Sequence, residues 1–165
     1  MTSRVQQGRR TTGTDGGVTV FLIGMRINRF RALRRWLPVL TVMPRMLREL
    51  RADPAAGLLA SRIVTSGPRE YAVIQYWEST EKLLAYAADT GRTHRPAWAA
   101  FNRRARDGRG AVGIWHETYA VPAGAHESVY VDMPPYGLAA AHGSAPVGRQ
   151  RDRAAQRLSA ASSGA

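Results

Sequence analysis

Between residues 18 and 138 the apolar residues change period in the order strand, helix, strand, strand, helix, strand, and this order limits the fold more than any other feature of the chain. Val18 to Ile27 is a mostly apolar run rich in branched and aromatic residues, as expected of a buried strand. Arginines crowd the connection that follows, at Arg26, Arg29, Arg31, Arg34 and Arg35. From Trp36, apolar residues recur at Leu40, Met43, Leu47 and Leu50, the spacing of one helical face. Pro38 suits the first turn of this helix, Pro44 predicts a kink, and Asp53-Pro54 ends it. Leu58 to Thr65 and Tyr71 to Trp77, joined by Ser66-Gly67-Pro68-Arg69, read as antiparallel strands. Ser79 or Thr80 caps a short helix through Ala88, and a second helical piece starts near Pro96 with Trp98, Phe101 and Ala105 on its apolar face. The turn at Asp107 to Gly110 leads into a strand from Gly113, and Pro122-Ala123-Gly124 predicts a hairpin returning as His126 to Val131.

This succession is the split strand-helix-strand pattern of ferredoxin-like α+β domains, an antiparallel sheet with helices on one face. The other face is left bare, and its apolar residues need cover, which dimerisation supplies most simply. The expected organisation is one domain over residues 18–138. Residues 1–17 and 139–165, poor in apolar period and rich in Gly, Ser, Thr, Ala and Arg, are expected to be disordered tails.

The strand Gly113-Ile-Trp-His-Glu-Thr-Tyr-Ala-Val121 is unusually polar and aromatic. Alternation puts Trp115, Glu117, Tyr119 and Val121 on one face and Ile114, His116, Thr118 and Ala120 on the other. His116 and Glu117 therefore do not readily serve the same proton or metal. If one face lies against helices and the other lines a cavity, either Glu117 with Tyr119 or His116 with Thr118 looks into it. Glu127 and Tyr130 would join Glu117 and Tyr119 across the expected hairpin. A buried carboxyl there would have a raised pKa suited to a general base; the plainer reading is a structural network. His94, directly before the Pro96 helix, is the other base candidate, since the positive end of a helix favours neutral imidazole. Its plainer role is that of a loop or capping histidine. Arg95 beside it could bind an anionic group, and Trp77, Trp98 and Trp115 with Tyr76 could wall an aromatic pocket or simply fill the core. The methionines at 25, 43 and 46 read as packing residues.

Several classes fall away. The chain has no cysteine, which removes disulfides, thiolate metal sites and cysteine nucleophiles and matches a reducing cytoplasm. No apolar run approaches the roughly 20 residues of a membrane span, so no membrane partner is expected. The formal charge of +12 suggests nucleic acid, but the aromatics fall on predicted core faces rather than among exposed basic groups, and we expect no nucleic-acid partner. A glycine-rich phosphate loop, a His-Glu-x-x-His helix, a Gly-x-Ser-x-Gly elbow and a dinucleotide fingerprint are all missing from the sequence.

Seven ordered blocks, Trp36-Leu-Pro-Val, Met43-Pro-Arg-Met-Leu-Arg-Glu-Leu, Ala52-Asp-Pro, Gln75-Tyr-Trp-Glu-Ser, His94-Arg-Pro-Ala-Trp, Gly113-Ile-Trp-His-Glu-Thr-Tyr and Asp132-Met-Pro-Pro-Tyr-Gly-Leu, resemble a bacterial monooxygenase-like family of unknown function over residues 18–138. The resemblance implies the dimeric α/β-barrel superfamily, which holds cofactor-free quinol monooxygenases, haem enzymes and non-catalytic members. Tyr76-Trp-Glu-Ser followed by Tyr86 and His94 also resembles the haem-degrading branch, with Tyr86 where that branch has tryptophan and a shorter gap to His94. The resemblance thus implies an oxidoreductase acting on an apolar or aromatic, quinol-like small molecule. His94, His116, Glu117 and Tyr119 are its candidate catalytic residues; Trp77, Tyr86, Arg95, Trp98, Trp115, Glu127 and Tyr130 are its candidate substrate contacts. We expect no cofactor and no metal, with haem on His94 as the alternative and a non-catalytic ligand-binding module as the further one.

Overall fold

The computed structural model describes residues 4–13, 16–89, 110–148 and 153–159. Along the chain these form β1 (Gln6–Thr12), β2 (Val18–Ile27), α1 (Leu33–Ala52), a 3-10 turn (Pro54–Ala56), β3 (Leu58–Thr65), β4 (Glu70–Trp77), α2 (Thr80–Ala88), β5 (Val112–Val121), β6 (Tyr130–Met133), α3 (Leu138–His142), β7 (Ser144–Pro146) and α4 (Ala154–Ser159). The larger sheet runs β3-β4-β2-β5, and every neighbour pair in it is antiparallel. That is the strand order of a ferredoxin-like α+β domain, with β2 and β3 separated by β4 and joined through α1.

β2 is bonded along both edges. Its register pairs Ile23 with Val73 of β4 and His116 of β5, and Leu22 with Ile74 and Glu117. Because side chains alternate, the helix-side face carries Phe21, Ile23, Met25 and Ile27 with Val73, Gln75, Trp77, Ile114 and His116. The opposite face carries Val20, Leu22, Ile74, Tyr76, Trp115, Glu117 and Tyr119. α1 and α2 bury the first face. Leu50 of α1 and Leu83 and Tyr86 of α2 pack on Trp77, which has no exposed surface, while Phe21, Ala56 and Leu58 close the margin. The buried indole is satisfied, its Nε1 donating to Gln75 Oε1 at 2.9 Å.

Local signals account for the connections. Ser79 caps α2, its Oγ accepting from the Lys82 N–H at 3.2 Å. Asp53 terminates α1 and caps the 3-10 turn, its Oδ1 accepting from the Ala55 N–H at 3.1 Å, and Gly57 at φ 85° then reverses the chain into β3. α1 begins at Leu33, earlier than Trp36, so Pro38 lies in the second turn and not the first. No side chain caps its N-terminus; Arg35 and Trp36 N–H groups bond the Ala32 carbonyl, and Trp36 Nε1 bonds the Phe30 carbonyl at 2.9 Å.

Two expectations are corrected. Gln6–Thr12 lies within the segment expected to be a disordered tail, yet it is the middle strand of a second sheet, β6-β1-β7, and Ser144–Pro146 from the other expected tail is its neighbour. The pairing is driven by backbone and polar side chains: Arg10 donates from Nε to Ser144 Oγ and from Nη2 to the Ser144 carbonyl, both at 3.0 Å, and the Gly8 N–H donates to Asp132 Oδ1 at 2.8 Å. β6, expected to return along β5, pairs instead with β1. The helix expected near Pro96 falls outside the described residues. No described helix is long and apolar enough to cross a membrane.

Gly24 shows how closely the open face is packed. A Cβ there would lie 2.4 Å from the Trp115 indole, which covers the glycine from the next strand. Gly24→Ala should therefore destabilise the protein by about 1–3 kcal/mol through overpacking. In a Trp115→Ala background the same change should reverse sign and stabilise by up to about 1 kcal/mol, the ordinary advantage of alanine over glycine in a strand. Urea unfolding of the four proteins in this cycle checks both signs.

Candidate functional site

The helix-side face of the sheet is sealed at one end by the Trp77 cluster and is hollow at the other. A cavity of about 170 Å³ lies between α1, which contributes Val39, Leu40, Met43 and Pro44, and the strands, which contribute Ile23, Met25, Val73, Tyr71 and Ile114. Ile63, 55% exposed, stands at its rim on edge strand β3. Apart from the Tyr71 phenol every side chain named is apolar, and that phenol turns away to donate to the Pro68 carbonyl at 3.3 Å. Pro44 has no N–H for the Leu40 carbonyl, so α1 lacks a backbone bond between two of the residues that line the cavity. An apolar cavity of about 150 Å³ stays dry and accepts benzene, so this one has room for a single aromatic ring or a branched aliphatic group.

His116 is on the cavity's face of the sheet. It is the cross-strand partner of Ile23 and stands one strand repeat from Ile114, both of which line the cavity. Its ring lies 5.8 Å from that of Phe21 at a tilt of 41°, and the residue is solvent-exposed. An imidazole thus stands on the same face of the sheet as the apolar space, one strand repeat beyond its lining, while keeping contact with water.

Glu117 and Tyr119 are on the opposite face. Tyr119 Oη donates to Glu117 Oε2 at 2.6 Å. This bond, and then the carboxylate's charge, raise the phenol's pKa above its usual value. Both side chains are exposed, so Glu117 is not the buried carboxyl considered above. Trp115, 43% exposed, shares their face.

Glu127 and Tyr130 do not join this pair, because β6 pairs with β1 and not with β5. Glu127 Oε2 accepts from Arg157 Nε at 2.8 Å. Tyr130 Oη accepts from the Ala139 N–H at 3.2 Å, near Tyr76 and Tyr136, where the Arg62 guanidinium stacks 3.8 Å above the Tyr136 ring. Burial, with smaller contributions from Tyr130 and Tyr136, raises the Tyr76 pKa. Trp77 and Tyr86, with ring centroids 5.6 Å apart, belong to the core and not to the cavity wall. His94, Arg95 and Trp98 lie outside the described residues. The lining itself was missed from the sequence, where Met25 and Met43 read as packing; the one available signal was two prolines within a helical period. A second, open hollow beside Glu78 and Glu81 offers little, since its Ser79 hydroxyl caps α2 and its Thr19 and Thr80 hydroxyls bond each other at 2.8 Å.

Among solved structures, an aldoxime dehydratase in complex with butyraldoxime superposes with a TM-score of 0.63 at 18% identity over 86% of this chain, which spans 42% of that enzyme's length. This likeness supports the fold. The cofactor-independent oxygenase SnoaB from Streptomyces nogalater is 14% identical over 64% of this chain and 94% of its own, with a TM-score of 0.41. A dimeric ferredoxin-like protein of unknown function from Jannaschia sp. CCS1 is 18% identical over 61% and 98% of the two chains, with a TM-score of 0.39. No curated protein matches the chain. A family pattern does match, over residues 18–138, the whole unit from β2 to the start of α3, and by that match the chain belongs to the monooxygenase af470-like family.

Proposed function

We infer that this protein is a small-molecule oxygenase whose substrate is a compact apolar or aromatic, phenol-like molecule held between α1 and the sheet. The carrying observation is the apolar cavity of about 170 Å³ with His116 on its face of the sheet. Family membership supports an oxygenase reaction, and the cavity supports a compact apolar substrate. His116 takes the proton of the phenol, leaving an electron-rich anion that reduces oxygen directly. One oxygen atom replaces a ring hydrogen to give a quinone carbonyl and the other leaves as water; this four-electron oxidation of the phenol matches the four-electron reduction of oxygen, so no separate reductant is required. The protein contributes a dry, shaped space and a general base. Tyr119 and Glu117 take no part in proton abstraction, being on the far face and bonded to each other.

Haem, the cofactor alternative, does not fit the cavity. A space for a single aromatic ring is too small for a tetrapyrrole. The active assembly in this reading is a homodimer. Trp115 and Tyr119 are 43% and 50% exposed on the open face beside half-buried Val20, Leu22 and Ile74, an apolar surface that a second copy would cover.

Three outcomes follow. Purified protein should take up oxygen with small phenols or quinols, and His116→Ala should lower kcat/KM by about 10²–10⁴-fold, the range for loss of a general base; oxygen-electrode rates that are equal in the two proteins would remove His116 from the mechanism. Haem titration should give no saturable Soret shift, whereas a stoichiometric shift abolished by His94→Ala would replace this reading with a haem enzyme. Sedimentation should show a dimer that Trp115→Glu dissociates, and a wild-type monomer at high concentration would rule out the dimeric barrel.

A further inference from the structure

Three buried polar atoms without a hydrogen-bond partner lie on segments that are tied together at the end of β1: Thr12 Oγ1, His126 Nδ1 and His142 Nε2. The end of β1 ties these segments to one another. The Thr12 N–H donates to Ser128 Oγ at 3.0 Å, two residues from His126, and the Gly13 N–H donates to the Gly143 carbonyl at 2.8 Å, next to His142. A Cβ on Gly13 would lie 3.0 Å from the His142 carbonyl oxygen. The two imidazoles are within electrostatic reach of each other.

The tautomer of His126 follows from its other contact. Nε2 lies 2.8 Å from the Gly16 carbonyl, which can only accept, so Nε2 carries the proton and Nδ1 presents its lone pair to the buried side. A ring N–H anchored on a backbone carbonyl with the opposite nitrogen left to donate electrons is the usual arrangement of a metal-ligating histidine. From the unpaired Nδ1 of His126 and Nε2 of His142, brought to one junction by β1, we propose a binding site for a borderline divalent transition-metal ion such as Zn²⁺. Imidazole donors suit Zn²⁺, Cu²⁺ and Ni²⁺ and discriminate against Mg²⁺ and Ca²⁺, which require several oxygen ligands. Among the described residues no third histidine, cysteine or carboxylate joins the pair, so the Thr12 hydroxyl and water complete the coordination. Bound metal would join the segment before β6, inside the matched family unit, to the end of β1 and the end of α3, outside it; its residues are different from those of the cavity, and the proposal is therefore independent of the oxygenase reading.

Calorimetric titration of the full-length, metal-free protein with ZnCl₂ tests it. The expected result is one Zn²⁺ per chain, an affinity at least tenfold weaker in His126→Ala and in His142→Ala, and unchanged binding in the double variant His94→Gln/His116→Gln, which removes the chain's other two histidines. Absence of binding at millimolar Zn²⁺ would overturn the proposal and leave a buried water as the partner of these atoms. Binding that survives both alanine variants, or that disappears in the double variant, would overturn it equally. Should an alanine variant fail to fold, the imidazole ¹⁵N resonances of the double variant give the same decision: both remaining rings shift with Zn²⁺ if they ligate it, and the proposal fails if they do not.

Discussion

The rest of the structure depends on the pairing of β2 along both edges. A strand bonded on one side can slip or shed its partner, but Val18–Ile27 is held by β4 and β5 in one continuous register, so the facing of each residue on three strands is set at once. A shift of one residue would turn Ile23, Met25 and Ile27 away from the helices and bring Leu22, Gly24 and Arg26 beneath them. The separation of His116 from Glu117 is a consequence of the same register. One belongs to the face under the helices, the other to the open face, and their chemistries are divided by the thickness of the sheet.

Elements whose side chains announce their burial were legible in the sequence. The Ser66 to Arg69 turn, the Ser79 cap, the Asp53-Pro54 stop and the apolar spacing from Leu40 to Leu50 each have a local physical cause, and the ferredoxin-like order follows from them. β1 carried no such signal. Gln6–Thr12 is polar on both faces, is interrupted by Gly8 at φ 80°, and pairs with residues more than a hundred positions away, so no local period could mark it. The same absence misdirected β6: Pro122-Ala123-Gly124 does turn the chain, but the unpaired edge it meets belongs to β1.

The candidate site was legible only in part, for a related reason. Alternation along 113–121 showed that His116 and Glu117 part company, yet β2 is apolar on both sides and does not reveal which face α1 covers. That choice rests on the α1 connection and the Trp77 cluster, which are tertiary facts. Tyr119 illustrates the consequence. Its aromatic neighbours in sequence suggested a pocket, whereas its hydroxyl is engaged by Glu117 in solvent and its pKa is raised by that bond.

The cavity itself has an energetic meaning. Leaving about 170 Å³ empty in a core costs, at about 24 cal/mol per Å³, up to about 4 kcal/mol. That is a large share of the roughly 5–15 kcal/mol by which a domain is stable. Exposure of Ile63 at the rim lowers the cost without removing it. Pro44 interrupts the backbone bond to Leu40 in the part of α1 that covers the hollow, opposite Ile23 and Val73. A molecule of matching size and polarity recovers the lost contacts on entering, and the free energy so released favours binding before any chemistry takes place. In the proposed oxygenase, the looseness that weakens the core at this end of α1 is what would give affinity for a small apolar substrate.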